Sequence, residues 1–205
     1  MLNILRVLES FVSEVPNPEL KIADTFPNLE LTNQFGEQVR LREDFVNQGT
    51  ALIINTMYST CRGSCPGTSA MIESLRKDLS PVFGKRLTFL SFTLEPHVDT
   101  PEVLRDYAQM FGAGRPKPKL SDWHFLTAPA ETIQILRKTL GFFDLDPNVD
   151  QDITQHASLL LVGNPATDRW CMLPAELRKS TLKESIRRLV GVTFEERYGI
   201  RETTK

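Results

Sequence analysis

The run Ala51-Leu52-Ile53-Ile54-Asn55 is apolar at four consecutive positions and leads, six residues on, into Cys61-Arg62-Gly63-Ser64-Cys65-Pro66. A strand without polar alternation has to be covered on both faces, so it belongs inside a sheet flanked by helices. Behind the cysteines, Met71, Leu75 and Leu79 recur at i, i+4 and i+8, which predicts a helix, and Pro66 suits its first turn. A buried strand, a short reactive loop and a helix thus follow one another without a spacer.

The rest of the chain extends that unit. Arg86 to Leu94 reads as a second strand. Asp99-Thr100-Pro101-Glu102 then opens a helix, with Asp99 or Thr100 as N-cap and Pro101 in its first turn. Leu104, Tyr107, Ala108 and Phe111 form its buried stripe and Gly112 ends it. Trp123 to Thr127 is a further short strand, and Glu131 to Leu140 a helix closed by Gly141. Ser158 to Val162 and Arg169 to Leu173 are expected to pair antiparallel around Asn164-Pro165. Ser180 caps a last helix carrying Leu182, Ile186, Leu189 and Val190. Ahead of all this, Leu29 to Thr32 and Gln38 to Leu41 flank a turn containing Gly36, which signals a hairpin. The order predicts an α/β fold of thioredoxin-like type: a central mixed sheet flanked by helices, with an N-terminal β-hairpin extension.

The 205 residues suffice for one well-cored domain. The division read from the sequence is an N-terminal helix and linker over 1–26, a thioredoxin-like domain over 27–192 and a tail over 193–205. A net charge of −2 gives no electrostatic case for nucleic acid or for an anionic membrane. The basic cluster Arg115, Lys117 and Lys119 alternates with prolines and reads as a stiff, solvated loop. No apolar run is long enough to cross a bilayer. Residues 1–15 place Leu2, Leu5, Leu8 and Phe11 on one side of an amphipathic helix, interrupted by Asn3, Arg6, Glu9 and Ser10, so no signal-peptide core is present. The expected location is therefore the cytoplasm.

Three cysteines are too few for a disulfide scaffold. Cys61 and Cys65 enter a helix N-terminus, where free backbone N–H groups and the helix dipole favour thiolate, and Arg62 adds a nearby cation. Thiolate both attacks disulfides and binds soft metals, so the pair serves either chemistry; two buried small hydrophobes is the bland alternative. Zinc would ask for a second ligand pair nearby, and none is present. Cys171 lies in a strand and reads as a structural thiol. As an enzyme the chain would be a thiol–disulfide oxidoreductase in which Cys61 attacks and Cys65 resolves. A peroxidase of the peroxiredoxin kind lacks its Pro-x-x-x-Thr-x-x-Cys motif, and a non-catalytic docking module has no use for the cysteine pair.

Three segments together resemble the SCO/SenC family of copper chaperones: Cys61-x-x-x-Cys65-Pro66 after a core strand, Glu95-Pro96-His97-Val98-Asp99-Thr100-Pro101-Glu102 after the next, and His156-Ala157-Ser158-Leu159-Leu160-Leu161-Val162 some ninety residues later. The likeness runs from about Pro27 to Val190. It departs between the cysteines, where Arg62-Gly63-Ser64 replaces the acidic residue that family members often carry. The resemblance implies copper, as Cu(I) or with added ligands Cu(II), held by Cys61, Cys65 and His156. It implies a target, the dinuclear copper site of cytochrome c oxidase subunit II or another copper or thiol protein. It also implies a membrane-anchored life facing the periplasm or its equivalent. His97 is expected as an additional ligand at best, and His124 as a structural residue.

Overall fold

The computed structural model describes residues 21–199; the helix expected over residues 1–15 lies outside them. Seven strands form one sheet: β1 (Glu30–Asn33), β2 (Gln38–Arg40), β3 (Ala51–Met57), β4 (Leu87–Thr93), β5 (Asp122–Thr127), β6 (Leu159–Asn164) and β7 (Arg169–Pro174). Their spatial order is β2-β1-β5-β4-β3-β6-β7. The central pairs β3–β4 and β4–β5 are parallel, while β3–β6, β6–β7, β1–β5 and β1–β2 are antiparallel. The helices are α1 (Cys65–Phe83), α2 (Pro101–Met110), α3 (Ala130–Thr139), α4 (Pro147–Gln151), α5 (Lys179–Val190) and α6 (Phe194–Tyr198).

All seven residues of β3 are buried, as the unbroken apolar run requires. Successive side chains leave opposite faces, so β3 feeds two cores. Ala51 and Ile53 pack with Phe89, Phe125, Leu160 and Val162 beneath α1, α2 and α5. Leu52 and Ile54 pack with Leu90, Phe92 and Leu126 beneath α3 and a π-helical turn over Leu41–Val46. In α1 the buried stripe is Ile72, Leu75, Leu79 and Phe83, with Met71 at its rim. Arg76 is also buried there; its guanidinium donates to the carbonyls of Ser121 (2.6 Å) and Gly112 (3.2 Å), tying α1 to the loop ahead of β5.

Local chemistry decides one choice that the sequence left open and departs from the sequence reading at two places. Thr100, not Asp99, caps α2, accepting from Val103 N–H at 3.4 Å. Ser180 is not a cap: α5 begins at Lys179, so Ser180 lies in its first turn and its hydroxyl bonds no helix N–H. Residues 193–198 hold a helix that no periodicity announced; Thr193 and Glu196 close a capping box, and Arg187 donates to the carbonyls of Glu195 and Glu196. The segment before β1 is held down by Asp168, whose carboxylate accepts from Ile22 and Ala23 N–H, while Phe26 packs on Trp170 at 4.5 Å.

Trp170 reaches Phe26 by lying across Gly163, its register partner on β6. A Cβ on Gly163 would sit 1.9 Å from the indole ring, so only glycine fits beneath it. Gly163→Ala should therefore lift Trp170 off Phe26 and cost about 1–3 kcal/mol, the range for overpacking. Urea unfolding followed by tryptophan fluorescence measures this, and an unchanged midpoint and native emission would contradict the packing described.

Candidate metal and thiol centre

β3 ends at Met57, and the chain leaves the sheet as Tyr58 to Ser64 before α1 starts at Cys65. Two loops are locked together at this end of the sheet. Asp99, wholly buried, accepts from the backbone N–H of Ser59 (3.1 Å), from the Ser59 hydroxyl and from the Thr93 hydroxyl. Thr60 donates to the Glu95 carboxylate in the same loop. A buried carboxylate needs such partners, and here they are the residues just ahead of Cys61. The acidic segment after β4 thus holds the entry of the cysteine loop, a task that its sequence alone did not reveal; hydroxyls at Ser59 and Thr93 were the available signal.

Both thiols are free. Cys65 is 2% exposed and Cys61 9%. Cys61 is the more exposed of the two, yet it too is buried, because Tyr58 and the loop fold over it. Burial pushes the Cys61 thiol up, but hydrogen bonds from the Cys65 thiol and N–H, the Tyr58 hydroxyl and the Gly63 N–H outweigh that and leave it below its ordinary value. Arg62, expected to share in this, is exposed. Burial and its bond to Cys61 push Cys65 the other way, up to about 12. Cys61 is thus the more acidic of the two sulfurs, and Cys65 its proton-donating neighbour. Tyr107, hydrogen-bonded to Ser69 at 3.0 Å on the next turn of α1, is pushed up to about 12 by burial, with the sulfurs' charge adding to it.

His156 follows a short 3₁₀ turn, Ile153–Gln155, that Asp152 caps through Thr154 N–H at 2.9 Å. Its Nδ1 lies 2.5 Å from the Ile153 carbonyl oxygen. A carbonyl only accepts, so Nδ1 carries the proton and Nε2 presents its lone pair. That lone pair faces Cys65: Nε2 and Sγ are 3.7 Å apart. The Tyr58 ring meets the imidazole edge-on at 5.5 Å. Bonds of about 2.3 Å to sulfur and 2.0 Å to nitrogen, the lengths zinc makes, span this separation when they open by about 120°. Among the described residues no three His, Cys, Asp or Glu side chains are arranged to hold a metal ion.

The remaining candidates lie apart. His97 is exposed on the loop after β4. His124 sits mid-strand on β5, against Phe45 at 5.2 Å; burial holds it below its ordinary value, and its Nδ1 has no partner. Cys171 pairs in register with Val162 on the outer strand β7, half-buried.

None of the curated proteins compared with the chain matches it. Among solved structures it is similar to an SCO1/SenC family lipoprotein from Bacillus anthracis (20% identity, 80% of this chain and 94% of that one, TM-score 0.62). It is similar also to copper-bound yeast Sco1 (19%, 83% and 91%, TM-score 0.58). A third is BsSco, described as a Sco-family cytochrome c oxidase assembly protein with a disulfide switch (22%, 78% and 90%, TM-score 0.58). These likenesses carry the thioredoxin-like fold. The SCO1/SenC family profile matches residues 18–191, a span that takes in β3, the cysteine loop, the Asp99 segment and the His156 turn, and the chain belongs to that family.

Proposed function

We propose that the protein binds one copper ion through Cys61, Cys65 and His156, and passes it to, or reduces the cysteines of, the dinuclear copper site of cytochrome c oxidase. The observation that carries this reading is the fixed tautomer of His156, whose free Nε2 faces the Cys65 sulfur. Two thiolates and one neutral imidazole form a soft donor set suited to Cu(I). The backbone carbonyl on Nδ1 is the kind of outer partner that orients a ligating histidine. Cys61 already hydrogen-bonds Cys65, so a small turn of its side chain in a loop containing Gly63 brings the third donor in. Copper is the cargo here; the protein's own part is to hold two sulfurs, an oriented nitrogen and little water. The family and the copper bound by yeast Sco1 support the metal, and the assembly role described for BsSco supports the target.

The unequal thiols favour a second reading, thiol–disulfide exchange without metal. A Cys61 thiolate attacks one sulfur of a substrate disulfide and expels the other as thiolate; Cys65 then loses its proton and displaces the first substrate sulfur, leaving an internal disulfide and a reduced substrate. The two readings part on the role of His156.

The reduced protein should take up one Cu(I) per chain. Cys61→Ser or Cys65→Ser should lower affinity by more than the 10–100-fold typical of losing an outer partner. His156→Ala should do so comparably, and Cys171→Ser should leave it unchanged. Competition with a chromophoric Cu(I) chelator measures this; equal loading of the wild type and the Cys61→Ser, Cys65→Ser double variant removes the copper reading.

In the metal-free protein, iodoacetamide should modify Cys61 well before Cys65, with mass spectrometry locating the label. The sign follows from the thiolate fraction: Cys61, lowered, gains reactivity at a pH below that of an ordinary thiol and loses it as pH falls through its own value. Cys65, at about 12, stays protonated throughout the working range. Rapid reduction of a mixed disulfide together with negligible copper affinity would favour the metal-free reading.

A further inference from the structure

The molecule has two poles that differ in charge. Residues 142–156, which end in His156, contain four aspartates and no lysine or arginine. Residues 178–199, which form α5 and α6, contain six basic side chains against three acidic ones, in a chain whose net charge is −2. The two segments meet opposite ends of β3. His156 approaches the loop after its last residue, whereas Asn164 Nδ2 donates to the Val190 carbonyl (2.8 Å) beside its first, Leu52 pairing with Gly163. Seven residues of strand separate these ends by about 23 Å.

The basic pole also carries apolar side chains that nothing described covers. Val192 is 55% exposed, Phe194 63% and Tyr198 52%. They are held in place rather than loose: the capping box fixes α6, Arg197 donates to the Gly191 carbonyl at 2.8 Å, and Arg86 pairs with Glu196. Phe194 and Tyr198 stack at 4.7 Å, and the Arg188 guanidinium lies over the Tyr198 ring at 5.8 Å. Beside them Lys183, Arg187, Arg188 and Arg197 line an open groove of about 400 Å³ with a single acid, Glu184, which pairs with Arg188, while Lys183 also meets Asp78 at 3.4 Å; the basic side chains still outnumber these acids. Holding two aromatic rings in water costs free energy that a domain of this size could avoid. Aromatic and aliphatic tips set among arginines and lysines are the composition that lies in a bilayer interface, rings at headgroup depth and cations on anionic lipid.

We propose that the α5–α6 pole is a peripheral membrane contact for anionic lipid surfaces. No described helix is long and apolar enough to cross a membrane, so the contact is interfacial. The charge separation sets the orientation: an anionic surface attracts the α5–α6 pole and repels the aspartates around His156. Cys61, Cys65 and His156 then face away from the lipid, toward the aqueous phase and any protein in it. Attachment is independent of the chemistry at the cysteines.

The test is co-sedimentation of the full chain with vesicles of phosphatidylcholine and phosphatidylglycerol at 7:3, against phosphatidylcholine alone, at low and high salt. Binding should require the anionic lipid and fall steeply with salt. Phe194→Ser with Tyr198→Ser should weaken it at least tenfold, and Lys183→Gln with Arg188→Gln should flatten its salt dependence. Both double variants should keep the wild-type circular dichroism and copper stoichiometry, because Phe194, Tyr198 and Arg188 are exposed, Lys183 is half-buried and gives up only its pairing with Asp78, and all four are remote from the sulfurs. No binding to the anionic vesicles overturns the proposal. So does binding that survives both double variants, which moves the contact to residues 1–20. A concentration-dependent dimer that the aromatic variant abolishes, without vesicle binding, overturns it in favour of a second copy of the chain.

Discussion

Seven consecutive buried residues make β3 the element from which the rest of the structure is measured. Because neither face nor edge of that strand meets water, its chain can leave the sheet only at the ends, and the C-terminal end is where Tyr58 to Ser64 emerge. A loop in that position needs its own polar anchor, since its backbone has left the ladder. Asp99 supplies it by accepting from Ser59 and Thr93 at once, so the loops after β3 and β4 behave as one body. His156 is delivered to the same place by β6, the other neighbour of β3. Three segments far apart in sequence meet because they flank one strand.

That convergence was legible in part. The unbroken apolar run identified the central strand, and strand–loop–helix order put Cys61 and Cys65 at a helix start, because both signals are local and periodic. The hairpin, α2 and α3 were readable from turn and capping residues. What escaped was long-range polar chemistry. Apart from the hydroxyls of Ser59 and Thr93, whose proximity only the fold reveals, nothing distinguishes a capping aspartate from one that turns inward to Ser59, forty residues earlier. Nor does spacing disclose that the Cys65 thiol and N–H, with Tyr58 and Gly63, take the place of Arg62 in favouring the Cys61 thiolate. The helix at Phe194–Tyr198 escaped because it is five residues long, too short for a hydrophobic period, although Thr193 and Glu196 spell its cap.

The two thiols show how small a structural difference separates two chemistries. Both are buried, both border one loop, and burial raises both; the network of donors decides between them. Cys61 receives hydrogen bonds and Cys65 gives one, so charge is concentrated on the sulfur nearer the loop while the other keeps its proton beside an imidazole lone pair. On the proposed reading such a site takes a soft cation or exchanges with a disulfide, with Cys61 the first sulfur to lose its proton in either case. The imidazole is the reason to favour the metal reading, because a fixed Nε2 lone pair would add little to sulfur exchange and much to coordination.

The partner that fixes this imidazole is a main-chain carbonyl, that of Ile153. Genetic substitution exchanges side chains and leaves the peptide oxygen in place, so the acceptor that orients Nε2 toward Cys65 is not removed by an alanine scan. Every residue from Asp152 to Gln155 can be varied without deleting the acceptor, and a tolerant mutational profile there would say nothing against its importance. Only chemical editing reaches it, by methylating the ring at Nδ1 or by replacing the peptide bond after Ile153 with a weaker-accepting ester. The side chains of the turn thus act on this acceptor only indirectly, as Asp152 does by capping the turn that places it.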